Sequence, residues 1–295
     1  MSKKKRTRKK RPAKKKTKQG PPRSAPVEFR ALLRSMEGLL ADIGGMGRGK
    51  RSAVDQAQEI MYQAWETPTR RQAVALARKA LEVSGDCADA YNLLAEEAAE
   101  SLEEVIDLYR KGVEAGERAL GQEAFRQDMG YFWGILKTRP YMRARAGLAQ
   151  SLWEAGQREE AVEHYWDMLR LNPNDNQGIR YLLMPCLIEL GRDEDAEELF
   201  ERYEESFTAA WAYARALLDF RKYGDSPTAD KSLRAALDKN RHVPSYLLGR
   251  KKMPRALPGH CGFGDDNEAV VYADGNSAAW KATPGAMEWF ALKVK

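Results

Sequence analysis

The chain is poor in the residues that most often build reactive centres. It has three histidines and three cysteines in 295 residues. Cys87, Cys186 and Cys261 are widely spaced, odd in number and form no Cys-x-x-Cys pair, which argues against a disulfide or zinc framework and fits a reducing compartment. His260 adjoins Cys261, but two further ligands at metal-binding spacing are missing, so no metal site is expected. No apolar run approaches the ~20 residues that cross a bilayer. The best candidate, Tyr181–Leu190, is interrupted by Pro185 and reads as helical core. The charged N-terminus has no apolar stretch behind it, so no secretory signal is expected. No nucleophile elbow, no singled-out carboxylate pair and no other catalytic motif is present, and neither a catalytic residue nor a cofactor is expected.

One near-miss needs weighing. Gly44–Lys50 meets the G-x-x-x-x-G-K pattern of a phosphate-binding loop, but Arg51 stands where a Ser or Thr should bind magnesium. The preceding segment is amphipathic with helical spacing (Phe29, Leu32, Leu33, Met36, Leu39, Leu40, Ile43) and is not a buried strand. A glycine hinge accounts for it better than a nucleotide site.

What is present is charge, unevenly placed. Residues 1–23 hold thirteen Lys and Arg and no acid, so a chain of net +6 consists of a basic tail and a remainder of net −7. Residues 1–26 contain four prolines and almost nothing to bury, and are expected to be disordered. Lys3, Lys4, Lys5, Arg6, Arg8, Lys9, Lys10, Arg11, Lys14, Lys15 and Lys16 could attract nucleic acid, a ribosome or an acidic partner by a salt-sensitive, sequence-independent attraction. No aromatic is interleaved, so base stacking is unsupported. A solvated tail, or one folded back on the acidic body, is the plain alternative.

The body is periodic. Met142–Asp175 spaces Leu148, Ala149, Leu152, Ala161, Tyr165 and Leu169 as two interlocking antiparallel helices require, with Gly156 at the turn and Pro173 past the end. That is the 34-residue spacing of a tetratricopeptide repeat (TPR). Leu183, Leu187, Gly191, Ala196, Phe200 and Tyr203 repeat it over 177–209. Ala216, Leu217, Phe220, Gly224, Ala229, Leu233 and Ala236 do so over 210–244. Upstream, Ile60, Met61, Ala64, Ala73, Ala77 and Ala80 fit over 55–87, and Tyr91, Leu94, Ala95, Ala98, Val105 and Tyr109 over 88–120. One such unit cannot bury its apolar face alone, so the copies should stack. The fold class expected is all-α: a TPR-type α-solenoid of about five helix-turn-helix repeats (55–244), behind a disordered basic tail and an amphipathic helix with a Gly-rich hinge (27–54), and closed by an atypical helical C-terminal cap (245–295).

Residues 121–141 interrupt the repeat. Their Tyr131, Phe132 and Trp133 either pack against the solenoid or edge its groove. In the cap, Asp265 or Asp266 should start a helix that Thr283–Gly285 breaks. The cap either closes the solenoid or carries a ligand site of its own.

In TPR stacks the first helix of each unit lines the concave face. Outward places there make Asn92, Arg143, Gln150, Trp153, Tyr181, Trp211 and Arg221 candidates for a groove holding a protein or peptide partner, with aromatic anchors and polar contacts. Trp153 and Trp211 suit inter-repeat packing equally well. The lysine–asparagine clamp of chaperone-tail-binding TPR domains is absent, its places being held by Asn92, Glu96 and Gly147. The expected function is a non-enzymatic protein–protein interaction scaffold in the cytoplasm, or in the nucleus of a eukaryote. The alternative is a nucleic-acid- or ribosome-associated factor anchored by the tail.

The stretches ETPTR (Glu66–Arg70), ADAYNLLAEE (Ala88–Glu97), GYFWGILKTRPYMRAR (Gly130–Arg145), YLLGRKK (Tyr246–Lys252) and GFGDDNEA (Gly262–Ala269) resemble the suppressor of tumorigenicity 7 family and its soluble TPR relatives, mainly bacterial. The resemblance covers about residues 55–290. It implies a helical-repeat fold and contributes no catalytic residues. Animal members of the family are membrane proteins, whereas this chain lacks their spanning segments, so their location does not carry over.

Overall fold

A computed structural model of the chain describes Glu37, residues 51–203 and residues 208–294. The lysines and arginines of the basic tail and the Gly44–Lys50 loop lie outside the described residues. So does the rest of the amphipathic segment apart from Glu37, which is helical.

Ten helices pair into five antiparallel hairpins. These are α1 (Ala53–Glu66) with α2 (Arg70–Val83), α3 (Ala88–Glu97) with α4 (Leu102–Gln127), α5 (Arg139–Glu154) with α6 (Arg158–Leu171), α7 (Arg180–Leu190) with α8 (Asp193–Arg202), and α9 (Ala209–Tyr223) with α10 (Pro227–Lys239). No strand occurs among the described residues, and no described helix is long and apolar enough to cross a membrane. The protein is an α-solenoid of five TPR-type repeats.

Local chemistry sets the helix starts. Ser52 accepts from the Asp55 amide at 3.1 Å while the Asp55 carboxylate accepts from the Ser52 amide at 3.0 Å, a reciprocal cap that satisfies two orphan donors of α1. Thr69, Ser101, Thr208 and Ser226 cap α2, α4, α9 and α10 by side-chain oxygen in the same way. Gly156 and Gly191 supply the positive φ needed between the helices of their hairpins.

The repeat positions become core. Leu148, Ala149, Leu152, Ala161, Tyr165 and Leu169 are all buried, as are Leu183, Leu187 and Ala196 one repeat on. Small residues bring the helices close. A Cβ on Gly147 would come within 2.3 Å of the Tyr109 ring, so α4 can lay that ring on the backbone of α5 because residue 147 has no side chain.

The segment between α4 and α5 is an anchored plug. Helix α4 runs to Gln127 with non-helical φ and ψ at Gly121. The amides of Gly130 and Phe132 then donate to the Leu171 carbonyl at 3.0 and 3.2 Å, satisfying an orphan acceptor at the end of α6. Phe132 is fully buried against Phe125 and Tyr141, with ring centroids 5.1 and 6.1 Å away. Trp133 is half-buried beside Arg139, whereas Tyr131 is 65% exposed. Thus the aromatic cluster splits: one ring is core, one edges the site described below, and one faces solvent. Non-helical backbone ends sooner than the sequence suggests, because Leu136–Thr138 forms a 3-10 turn and Arg139–Pro140 already belong to α5.

The C-terminal segment contributes α11 (Val243–Leu247), α12 (Asp266–Ala282) and α13 (Ala286–Lys293). Asp265 caps α12, and Gly285 with φ of 75° starts α13. The segment does more than close the end of the stack. Helix α12 packs on α7 and α9, the first helices of the last two repeats, and α13 packs on α9 and α12. Aromatic residues explain this. Trp280 and Phe290 are fully buried with Tyr213 of α9, and Trp289 stacks on Phe220 of α9 at 4.6 Å.

Candidate functional site

First helices pack on first helices: α1 on α3, α3 on α5, and α7 on α9. First helices line the concave face of a TPR stack, and here α7 joins the third repeat chiefly through α6. The two ends of the stack are covered by different chemistry.

At the N-terminal end the cover among the described residues is ionic. Asp89 lies in the first turn of α3 and is fully buried. Burial of a carboxylate is tolerable when its lone pairs are satisfied. Here Gln58 of α1 donates at 2.9 Å, Asn92 at 3.1 Å, and Arg143 of α5 through Nε at 2.9 Å and Nη2 at 2.5 Å. The Arg143 fork is therefore bidentate, the strong geometry for a guanidinium and a carboxylate. Its remaining Nη1 donates to Glu37 Oε2 at 2.9 Å, and its guanidinium lies 5.6 Å from the Trp65 ring centre. Arg139, one turn earlier, donates through Nη1 to Glu37 Oε1 at 2.8 Å and through Nε to the Trp133 carbonyl at 2.9 Å. One carboxylate thus receives one donor per oxygen from two arginines spaced i and i+4 on one helix face.

The electrostatics follow. Burial disfavours the Arg143 charge, but Asp89 and then Glu37 more than offset that and hold its guanidinium above its ordinary range. Burial, then Asp89 and Glu37, push the Tyr62 hydroxyl up to about 12. Burial and Asp89 push the Cys87 thiol up to about 12, which leaves it a protonated, unreactive core group near neutrality.

At the C-terminal end the cover is apolar, pinned by a few polar clips. Arg221 of α9 donates to Asp193 at 2.6 Å, to the Ile188 carbonyl at 3.0 Å and to the Thr283 hydroxyl at 2.9 Å. It ties together the end of α7, the start of α8 and the end of α12. Trp211 is buried between Phe200, at 4.7 Å, and Tyr181, at 6.0 Å.

Between the two covers lie half-buried aromatics. Trp153, in the last turn of α5, carries the Arg158 guanidinium 4.9 Å from its ring centre. Tyr181, in the first turn of α7, carries Arg180 at 4.5 Å, and its hydroxyl accepts from Arg180 Nη2 at 3.0 Å. Gln150 pairs within α5 with Glu154 at 3.4 Å.

The seven candidate groove residues therefore separate into three pairs and a single residue. Asn92 and Arg143 meet through Asp89. Tyr181 meets Trp211, while Gln150 and Trp153 share the end of α5. Arg221 is engaged beneath the C-terminal segment. Asn92 and Trp211 present almost no surface, at 1% and 5% exposure. His164, which could be taken for an outward residue of α6, is half-buried and accepts from Arg145 at 3.1 Å; burial, then the Arg145 charge, lowers its pKa.

Reading the repeats alone misses Glu37, Arg139, Tyr62 and Trp65. The available signal was Arg139-x-x-x-Arg143 on one face of α5. Nothing periodic pointed to Glu37, 106 residues away from Arg143.

Comparison with known proteins places this architecture. The ST7 protein family model matches residues 50–294. A Caenorhabditis elegans protein ST7 homolog is 29% identical over 279 residues, covering 80% of this chain and 50% of that protein. The human suppressor of tumorigenicity 7 protein-like is 28% identical over 250 residues, covering 77% of this chain and 43% of its own. The chain thus spans about half the length of the curated relatives it matches. Among solved structures, YrrB, described as a TPR protein with an unusual peptide-binding site, aligns with a TM-score of 0.42 and 21% identity over 57% of this chain and 77% of its own. With the family match running from just before the first repeat to the last turn of α13, the chain belongs to the ST7 family.

Proposed function

We propose that the protein is an interaction scaffold that holds a protein or peptide partner against the layer of first helices. The observation that supports this best is the pair of half-buried aromatic–guanidinium stacks, Trp153 with Arg158 and Tyr181 with Arg180, on the stretch between the two covered ends. Rings that are already half-desolvated and flanked by arginine are the side chains that dominate binding energy at protein interfaces. Gln150, one turn before Trp153 on the same helix, adds an adaptable polar group on that side. Asn92, Trp211 and Arg221 support the layer from beneath and hold its helices in register.

Affinity capture with the full chain tests the reading. A partner enriched by the wild type should lose at least about 10-fold in affinity to Trp153→Ala, and more to Trp153→Ala with Tyr181→Ala, while circular dichroism stays unchanged. A partner retained with equal affinity by both variants would sink it.

The second reading rests on the thirteen tail cations. It holds that the tail, from Lys3 to Arg23, adds non-specific contact with nucleic acid. RNA or DNA binding should then fall steeply with salt and vanish when residues 1–23 are removed. Binding that survives the deletion would remove this reading.

A further inference from the structure

We propose that Arg139 and Arg143 form a carboxylate-recognition site for an acidic peptide, and that Glu37 is its built-in competitor. The inference rests on the scaffold reading above and names the chemistry of the ligand.

Groups of the repeats hold both arginines independently of Glu37. Arg143 is fixed by its bidentate pair with Asp89 and by the Trp65 ring. Arg139 is fixed by the Trp133 carbonyl and lies 5.4 Å from the Trp133 ring centre. Each guanidinium therefore keeps its orientation through groups of the repeats themselves, and each directs Nη1 at the same place. A receptor whose donors are held beforehand loses little ordering entropy when a ligand arrives.

Charge points to the same ligand. Among the described residues of the repeats, Arg143 pairs with the Asp89 carboxylate and Arg139 with the Trp133 carbonyl, so without Glu37 one positive charge is unbalanced; with Glu37 in place the arginine side chains are 23% and 11% exposed. An uncompensated, largely desolvated cation calls for an anion. Glu37 supplies it, with one oxygen per arginine and 7% exposure. Its spacing from Arg139 is 102 residues, and it lies outside all five repeats. A contact from outside the repeat array to two pre-held donors is one that a partner's Asp or Glu can replace without disturbing the stack.

The flanks refine the ligand. Tyr62, Trp65 and Trp133 border the site, and in sequence Glu37 is flanked by Leu33, Met36, Leu39 and Leu40. The fitting peptide carries one acidic residue among large apolar ones.

The test uses the full chain and a fluorescent peptide of residues 27–43 that carries Glu28→Gln and Asp42→Asn, so that Glu37 is its only acid. The Glu37→Gln chain should bind this peptide at least about 10-fold more tightly than the wild-type chain, because the internal competitor has lost its charge. A peptide with Gln in place of Glu37 should bind the same Glu37→Gln chain about 10-fold more weakly, so that the comparison reads one protein and differs only in the peptide. Adding Arg139→Ala to the Glu37→Gln chain should erase the preference for the acidic peptide. Equal binding by the wild-type and Glu37→Gln chains overturns the proposal, as does equal binding of the acidic, Gln and scrambled peptides. If the peptide fails while Trp153-dependent partner capture persists, Glu37 is a structural bridge and the scaffold reading stands alone.

Discussion

The two ends of the solenoid solve one problem differently. Both must cover a layer of first helices. Around α1 and α3 the buried apolar cluster is small and built largely of alanine, with Met61, Leu93 and Leu94 as its bulk. A carboxylate from outside the repeats closes it through two arginines. Around α7 and α9 the core is large, and α12 and α13 close it with tyrosine, tryptophan and phenylalanine. Apolar cover is released only by exposing hundreds of square ångströms to water. Ionic cover exchanges one anion for another at little net cost. On the carboxylate-exchange proposal, the C-terminal cover is permanent and the N-terminal one exchangeable.

The largest predicted effect breaks the permanent end. Trp280 is fully buried and donates through Nε1 to the Tyr272 hydroxyl at 2.8 Å. Trp280→Ala should cost about 3–5 kcal/mol, read as a lower urea midpoint, with faster hydrogen exchange across α9, α12 and α13 and not across α1 to α3.

Next comes the polar end. Asp89→Ala leaves Arg143 with one carboxylate in place of two and should cost about 3 kcal/mol by the same urea measurement. Adding Arg143→Met should recover part of that loss, because the stranded charge is then gone. A double variant with the full sum of the single losses would mean that the two side chains act independently, which the bidentate geometry forbids.

A pH titration sharpens the contrast further. Burial raises Tyr165, Tyr213 and Tyr272, all in the large core, far above the ordinary tyrosine value of 10.0, and pushes Tyr62 at the polar end up to about 12. A raised folded pKa gives stability that is intact below pH 10 and is lost above it, as the unfolded chain ionises and the folded one does not. Each of the three core tyrosines should cost about 1.4 kcal/mol per pH unit above 10, whereas the Tyr62 contribution stops growing near pH 12. Cys87 and Cys186, whose thiols burial pushes from 9.0 up to about 12, add a loss that begins above pH 9, so urea melts at pH 8, 9, 10 and 11 should show a fall in stability that steepens with each step.

The smallest effect is chemical. Cys87 and Cys186 are buried with thiols pushed up to about 12, burial being the main cause, and Cys261 is exposed. A thiol reagent at pH 8 should modify one cysteine in the native protein and three in urea.

What the sequence disclosed and what it hid have physical reasons. Leu148, Leu152, Ala161 and Tyr165 announce the repeats because helix packing imposes their spacing on every copy. Asp265 and Thr283–Gly285 bound α12 because capping is local chemistry. Phe132 could be expected to pack against the solenoid, yet its separation from Tyr131 and Trp133 could not, since that depends on where α6 ends in space. The aromatics of the C-terminal segment are visible as residues, but their packing on α7 and α9 follows no period. Glu37 is the extreme case. Its partners lie over 100 residues away, and its own neighbourhood reads as one amphipathic helix among many.

The central claim is that the first-helix layer takes a peptide at its ionic end and not at its aromatic end. Hydrogen exchange of the Glu37→Gln chain with and without saturating peptide 27–43 tests this most directly. Protection confined to α1, α3 and α5 is the expected result. Protection appearing instead on α9 and α12, or on no helix at all, would contradict it.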